Sequence, residues 1–363
     1  MEYRDFNKKL LISFFCIVFS VALLNFLVDP YNIFMKSPLT AHLLKPEAKV
    51  QERVTKIIGM KVDNRDISAV FVGTSRTDWA LNRDYYKKIT GKNAENIAMA
   101  GLALEEYEQV VKTVLKIHPE IKDVYFGADF ASFSGGEHDA EAAKEEKTKA
   151  LINSNPKLEL SELGTALLSV NTTGNSLWTI VKNLTGIKKR MFASNGLKYV
   201  YQNPSIEQEF DATNEKYLKV YKNYSLSQDK LNVLRKIRNL CEDKGVSFHL
   251  FVMPTHVRDL ELIYSAGKWD DFVNWKKEMA KISPVLDFQV VNEFTAEKIG
   301  PNMKNFFETS HATHFMGDRV IDAFVNGESD ICEVVTPYNA EKSGKKNLFS
   351  LKSYMNNQER NRK

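Results

Sequence analysis

Two short segments carry the residue types that serine-based chemistry needs. The first is Phe71 to Ala80, FVGTSRTDWA, where an apolar run is broken by Gly73 and followed at once by Ser75. A serine just past the end of a buried strand can present its Oγ, while its own N–H joins neighbouring donors around a developing oxyanion. Two other readings of Ser75 are open. It could cap the next helix, since serine is a preferred N-cap. The Gly-Thr-Ser-Arg turn could also cradle a phosphate, with Arg76 as the charge partner, although the glycine pattern of a nucleotide loop is missing. The second segment is Phe306 to Phe324, FFETSHATHFMGDRVIDAF. A serine becomes nucleophilic beside a base, histidine is the usual one, and a carboxylate must orient its ring. Glu308 and His311 are spaced so that both side chains can converge within one turn, and His314 follows at the same interval. Two histidines and a carboxylate this close also raise a metal. The spacing fits no zinc signature and no partner ligands stand elsewhere, so no metal and no cofactor is expected. His256, after Pro254, is a further residue that could line the same cleft, with a structural role as the alternative.

Segments so far apart in sequence need a sheet edge on which to meet. Ser68 to Val72 (SAVFV) reads as a short buried strand, and Ala94 to Ile97, Asp123 to Phe126, Val246 to Met253 and Val285 to Val291 suggest four more. Between them, Leu104, Tyr107, Val110, Val111, Val114 and Leu115 form one helical face. Leu231, Leu234, Ile237 and Cys241 form another, with Gly245 as its cap, and Gly317 to Val325 predicts the last helix. Strand–helix alternation of this kind predicts a parallel sheet of about five strands with helices on both faces. From Ser134 to Ser227 the periodicity degrades, with Gly135-Gly136 and a charged run from Glu141 to Lys149. This segment, 134–227, predicts a mostly helical insertion that either caps the site or merely decorates the edge.

The N-terminus sets the location. Leu10 to Val28, LLISFFCIVFSVALLNFLV, contains no charge, and about 20 apolar residues span a bilayer as helix. Arg4, Lys8 and Lys9 precede it, which predicts residues 1–9 in the cytoplasm and the body outside. The apolar run continues past the weak Ser20/Ala22 cleavage pattern, favouring an uncleaved signal-anchor over 10–28. Asp29-Pro30 ends the helix. An extended membrane exit follows, and a helix over Pro46 to Met60 with Val50, Val54, Ile57 and Ile58 on one face completes segment 29–66. Residues 67–330 form the catalytic-type domain, and 331–363 read as a polar, basic, solvated tail. A formal charge of +4 in 363 residues, with basic residues spread along the chain, is too weak a bias for a nucleic-acid partner. Apolar residues at 43% leave ample material for a core. Of the three cysteines, Cys241 and Cys332 could pair in an oxidising compartment.

Taken in order, these segments resemble the SGNH/GDSL hydrolase superfamily. They look most like membrane-anchored bacterial members associated with envelope and exopolysaccharide modification. Gly73-Thr74-Ser75-Arg76 resembles the first block, Asn96 to Gly101 (NIAMAG) the second, Gly127-Ala128-Asp129-Phe130 the third, and Glu308-Thr-Ser-His311 the final acid-x-x-His block, with Gly317 following. VDPYNIF after the anchor, Pro254 to Trp275 and Leu286-Asp287-Phe288 also resemble this subgroup.

The resemblance implies a three-layer, flavodoxin-like α/β fold with Ser75 as nucleophile, His311 as base and Glu308 as the orienting acid. It implies an oxyanion hole at Ser75, Gly101 and position 129. Independently of the resemblance, Arg76, His256 and His314 are expected beside the substrate. Thr74 stands where the GDS form has aspartate, and Glu308 where aspartate is usual. Asp129 replaces the family's oxyanion asparagine, and an ionised carboxylate cannot donate to an oxyanion. The function implied is a serine esterase or O-acyltransferase on acyl esters of envelope or exopolysaccharide glycans, facing the periplasm from the inner membrane and acting with a membrane-bound O-acyltransferase partner. A non-catalytic carbohydrate-binding or assembly component on the same fold is the alternative.

Overall fold

The computed structural model describes residues 2–34, 42–47, 52–101, 103–135, 155–189, 191–193, 195–327 and 330–360. Val50, Gly136 and the charged run from Glu141 to Lys149 lie outside the described residues. In chain order the helices are α1 (Glu2–Val28), α2 (Glu52–Val62), α3 (Ser75–Ala80), α4 (Arg83–Thr90), α5 (Leu104–Ile117), α6 (Leu160–Leu168) and α7 (Val170–Thr185). They continue as α8 (Ile206–Lys222), α9 (Gln228–Asp243), α10 (Val257–Ser265), α11 (Trp269–Ala280), α12 (His314–Asn326) and α13 (Ala340–Arg360). The strands of the main sheet are β1 (Ile67–Gly73), β2 (Asn93–Asn96), β3 (Asp123–Ala128), β4 (Ser247–Val252), β5 (Val285–Asp287) and β6 (Glu333–Val335). The chain forms two compact units, Met1–Asn64 with Ala150–Tyr199, and Arg65–Lys149 with Val200–Lys363.

The larger unit is built on a six-stranded sheet in the order β2-β1-β3-β4-β5-β6. The first five strands are parallel and β6 is antiparallel to β5. Strand side chains alternate between faces. Ala69, Phe71, Tyr125 and Phe251 therefore pack with Tyr86 of α4 and Met316, Val320 and Ile321 of α12. The alternate residues face the other way, where Tyr107 of α5 meets Phe126 edge-on at 5.4 Å. Both faces are covered, which is why these strands read as continuous apolar runs. The parallel part, β2-β1-β3-β4-β5, follows the doubly wound order in which ligands bind at the carboxyl ends of β1 and β3, where the winding reverses.

Four sequence expectations need correction here. The sheet has six strands, one of them antiparallel, in place of about five parallel ones. The fifth strand stops at Asp287, because its carboxylate accepts the Gln289 amide at 3.0 Å and turns the chain. Residues 331–363 are not a solvated tail over their described part. Val335 and Val334 pair with Val285 and Leu286, and α13 buries Ala340, Asn347 and Leu351. Asn347 clamps the chain after β5, accepting from the Val291 amide at 3.1 Å and donating to the Gln289 carbonyl at 3.0 Å. The charges that suggested a tail occupy the outer side of an amphipathic helix. Cys241 is a buried thiol and is not bridged to Cys332.

In the smaller unit, α1 is the one helix among the described residues long and apolar enough to cross a membrane. Over its described part, 29–34, the segment after α1 is folded rather than extended. Asp29 adopts a φ of 44°, and its carboxylate accepts the amides of Ile33 at 2.8 Å and Phe34 at 2.9 Å. The Lys45 ammonium bonds the Val28 carbonyl at the helix end, where a cation is favoured. Asn183 of α7 grips the Leu44 backbone through both its amide oxygen and nitrogen, at 3.0 and 2.8 Å. The expected insertion 134–227 is thus not one body: 150–199 belong to the unit of α1, and α8 belongs with the sheet.

Candidate active site

Ser75 stands at the first position of α3, directly beyond β1. The close seat of this helix on the sheet depends on two glycines. Gly73 and Gly127 are register partners on β1 and β3. A Cβ on either would come within 2.3 or 2.2 Å of the Thr77 Oγ1 that lies across both. Thr74 caps α3, its Oγ1 accepting the Arg76 amide at 3.3 Å. Asn96, from the NIAMAG segment, secures the other end by donating to the carbonyls of Thr77, Asp78 and Leu81 at 3.3, 3.2 and 3.1 Å. Its role is to hold the helix that carries Ser75. The chain beyond β2 runs alongside β1, with the Met99 amide on the Gly73 carbonyl at 2.9 Å. Gly101 follows with a φ of 62°, a turn that glycine permits without strain.

The second segment forms a hairpin. Phe306 and Ala312 make an isolated antiparallel bridge. Across it the Phe307 amide bonds the His311 carbonyl at 2.9 Å, and the Thr313 amide bonds the Asn305 carbonyl at 2.8 Å. The tip presents Glu308 and His311 toward Ser75. His311 Nε2 lies 2.8 Å from Ser75 Oγ. Its Nδ1 bonds Glu308 Oε1, and Ser310 Oγ lies 2.9 Å from the same Nδ1 and 3.1 Å from Glu308 Oε1. The Ser310 amide donates to the other Glu308 oxygen at 2.9 Å. The indole of Trp79 stacks on the His311 ring at 4.0 Å between centroids. Burial pushes the Glu308 carboxyl up. The His311 charge, the His311 hydrogen bond and the donors Ser310 and Thr213 outweigh it and hold the group at about 2. Gly317, in the first turns of α12, sets the spacing between the two segments. A Cβ there would lie 1.9 Å from the Ala80 carbonyl oxygen of α3.

The other side of Ser75 is a buried charge cluster. Asp129, at the carboxyl end of β3, accepts from the Thr74 hydroxyl and lies 3.6 Å from Arg76 Nε. Arg76 is itself buried, with Nη1 at 3.5 Å from Asp259 Oδ2 and Nη2 at 3.5 Å from the Tyr221 hydroxyl. Its guanidinium carbon is 5.2 Å from the centre of the Tyr217 ring. Burial opposes this charge, but Asp259 and Asp129 outweigh it and keep Arg76 protonated. Tyr221 and Gln289 complete the Asp259 shell, donating at 2.7 and 2.8 Å.

Four sequence expectations change against this geometry. Arg76 is buried against two carboxylates inside the protein, which argues against it as the charge partner of a phosphate cradle. Asp129 is engaged as an acceptor, so as an ionised group it supplies no oxyanion donor. His256 is 1% exposed. It caps α10, with Nδ1 accepting the Arg258 amide at 3.2 Å and Nε2 donating to the Glu297 carbonyl at 2.8 Å. With both ring nitrogens used by backbone it is structural, and its own amide holds the Thr309 carbonyl at 3.0 Å, steadying the hairpin tip. His314 opens α12, with Nδ1 3.9 Å from Asp318 and its ring 4.2 Å from that of Phe315, rather than on the Ser75–His311 pair.

The sequence reading missed α8, which braces the acid side. Thr213 bonds Glu308, Asn214 Oδ1 accepts the Thr309 hydroxyl at 2.5 Å, and Tyr217 bonds Ser310. A signal existed in Phe210, Tyr217 and Tyr221, which share one helical face, but it lay within the segment set aside as an insertion. Trp79 was also legible, four residues after Ser75 on the same short helix. Among the described residues no group of three or more His, Cys, Asp or Glu could hold a metal ion. No family model matches the chain, and no curated protein is significantly similar to it.

Proposed function

We propose that this protein is a membrane-anchored serine esterase or O-acyltransferase of SGNH type, acting on acyl esters of envelope or exopolysaccharide glycans. The observation that carries the reading is the continuous chain from Ser75 Oγ to His311 Nε2 at 2.8 Å, and from His311 Nδ1 to Glu308. In the proposed reaction His311 takes the Ser75 proton as Oγ attacks the ester carbonyl carbon. The tetrahedral intermediate then expels the alcohol, which takes the proton from His311, and leaves an acyl group on Ser75. Water releases the acyl group as a carboxylic acid, or a sugar hydroxyl accepts it as a new ester. The acceptor alone separates hydrolase from transferase, because both outcomes use the same groups.

The oxyanion is assigned to the amides of Ser75 and Gly101. Ser75 heads its helix, so its N–H has no carbonyl to bond within that helix. The basic residues Arg4, Lys8 and Lys9 support a cytoplasmic N-terminus and a sheet unit on the periplasmic side. That location suits a polysaccharide substrate and a membrane-bound acyltransferase as donor. Asp129 favours a second reading, a non-catalytic glycan-binding or assembly component, because its carboxylate occupies a place where the family has a donor. A fluorophosphonate probe separates the two. Labelling that is lost in Ser75→Ala is expected of an enzyme, while an unlabelled wild-type protein would overturn the catalytic reading.

A further inference from the structure

We propose that α7 lies in the interfacial layer of the membrane crossed by α1, with its outward face in lipid. Helix α7 is built inside out for a helix in water. Its buried side is polar, with Thr172, Ser176 and Thr179 as its buried residues. Its outward side is apolar: Val170 is 87% exposed and Leu184 82%, and Leu177, Trp178 and Val181 share the same stripe at helical spacing. Leu160, at the start of α6, is equally bare. A soluble surface helix carries the reverse pattern, and a contiguous apolar patch of this kind marks an interaction surface.

The occupant follows from where α7 is fastened. Asn25 of α1 is buried three residues short of the end of the uncharged run at Val28. Its carboxamide donates to the Leu167 carbonyl at 2.8 Å and to Thr173 Oγ1 at 2.9 Å, and accepts from Ser176 Oγ at 2.8 Å. The junction of α6 and α7 and the middle of α7 are therefore pinned at the depth of the last turns of α1. The 27 residues of α1 measure about 40 Å at 1.5 Å each. Leu10 to Val28 covers about 28 Å of this, close to the roughly 30 Å hydrocarbon layer. A helix bonded at Asn25 thus sits where chains meet headgroups. Its side groups suit that layer: Lys182 Nζ lies 5.2 Å from the centre of the Trp178 ring, and Lys188 and Lys189 follow, exposed. Tryptophan sits at headgroup level, and lysines there are drawn to anionic lipids.

The proposal rests on α1 spanning the bilayer, not on the serine chemistry. Trp178 is a native reporter. The full-length protein and its Trp178→Phe variant are placed in nanodiscs of phosphatidylethanolamine and phosphatidylglycerol, and the difference between their emission spectra isolates Trp178 from the other tryptophans. The expected difference spectrum is blue-shifted, shielded from iodide, and quenched more by lipids spin-labelled near the headgroup than by lipids labelled near the chain end. Red-shifted emission open to iodide would place the face in water. Blue-shifted emission shielded from both quenchers would place it against a second copy. Either overturns the lipid assignment. Failure of the chain to enter nanodiscs overturns it as well, through α1, and leaves the Ser75 reading untouched.

Discussion

The two flanks of Ser75 are built for opposite tasks. On one flank, Ser75, His311 and Glu308 form a line along which a proton can move, and Glu308 is saturated by donors that keep it ionised. On the other flank, Asp129 accepts from the Thr74 hydroxyl, and Asp129 and Asp259 share the one Arg76 cation inside the protein. Activating a nucleophile and stabilising the oxyanion it creates are separate requirements. Here the first is met by a complete set of side chains. The second faces an acceptor where a donor is needed, with the nearby cation already paired to carboxylates. Under the proposed serine chemistry, the difference would leave Ser75 well prepared to attack and the resulting intermediate less well supported.

The largest effects are expected on the relay flank. Ser75→Ala or His311→Ala should lower turnover of an aryl acetate by about 10⁴- to 10⁶-fold, and the double variant should be no worse than either alone, since the groups act as a unit. Additive losses would break the relay reading. Glu308→Gln should cost about 10⁴-fold, because an uncharged partner neither stabilises the imidazolium nor fixes the tautomer. Glu308→Asp keeps the charge and should recover part of that loss.

Each half of the relay was legible in sequence because each half is local. Gly73-Thr74-Ser75 marks the end of a strand covered on both faces, and Glu308 and His311 lie within one hairpin tip. Asp129 was legible as an anomaly, but its partner was not. Arg76 meets Asp259 and Tyr221 only because α3, α8 and α10 converge, and no spacing rule joins those segments. The helices that were misread share another cause. In α8 and α13 the few buried residues sit among charges, so composition suggested an insertion and a tail. In α7 the buried side is polar, so no apolar periodicity marked its packed face. β6 has only three residues, too few for alternation to show.

Asp129→Asn tests the second flank directly. An amide at this position supplies the missing donor, and one such donor is worth up to about 10²- to 10³-fold elsewhere. An increase of about tenfold or more in turnover is expected, together with a lower melting temperature, because Arg76 loses one of its two carboxylates. A fall in turnover would instead show that Asp129 serves the reaction through Thr74 or Arg76. The spacing between the flanks is sharpened by Gly317→Ala. The new Cβ meets the Ala80 carbonyl at 1.9 Å, and overpacking of this kind costs about 1–3 kcal/mol. Fluorophosphonate labelling should slow along with the loss of stability, because α12 must withdraw from the helix that carries Ser75.

The smallest effect on catalysis is expected at His256, which contrasts with His311 as a buried ring that serves the fold. Burial lowers its pKa, and the Arg258 charge adds to this. The Glu297 carbonyl and Glu308 pull the other way, and the balance is about 4 against an ordinary value of 6.5. The folded-state value lies below the unfolded one, so the neutral ring contributes stability fully above about pH 6.5 and loses that contribution as the pH falls through about 4. The contribution is at most about 3 kcal/mol. His256→Asn keeps an acceptor for the Arg258 amide and loses the bond to Glu297. It should leave turnover within about twofold of wild type while lowering the unfolding midpoint near pH 7. Denaturant melts at stepped pH should show the gap between the two proteins closing toward pH 4. A gap that stays constant would show that the ring's titration is not its source, and a large change in kcat/KM would return His256 to the cleft.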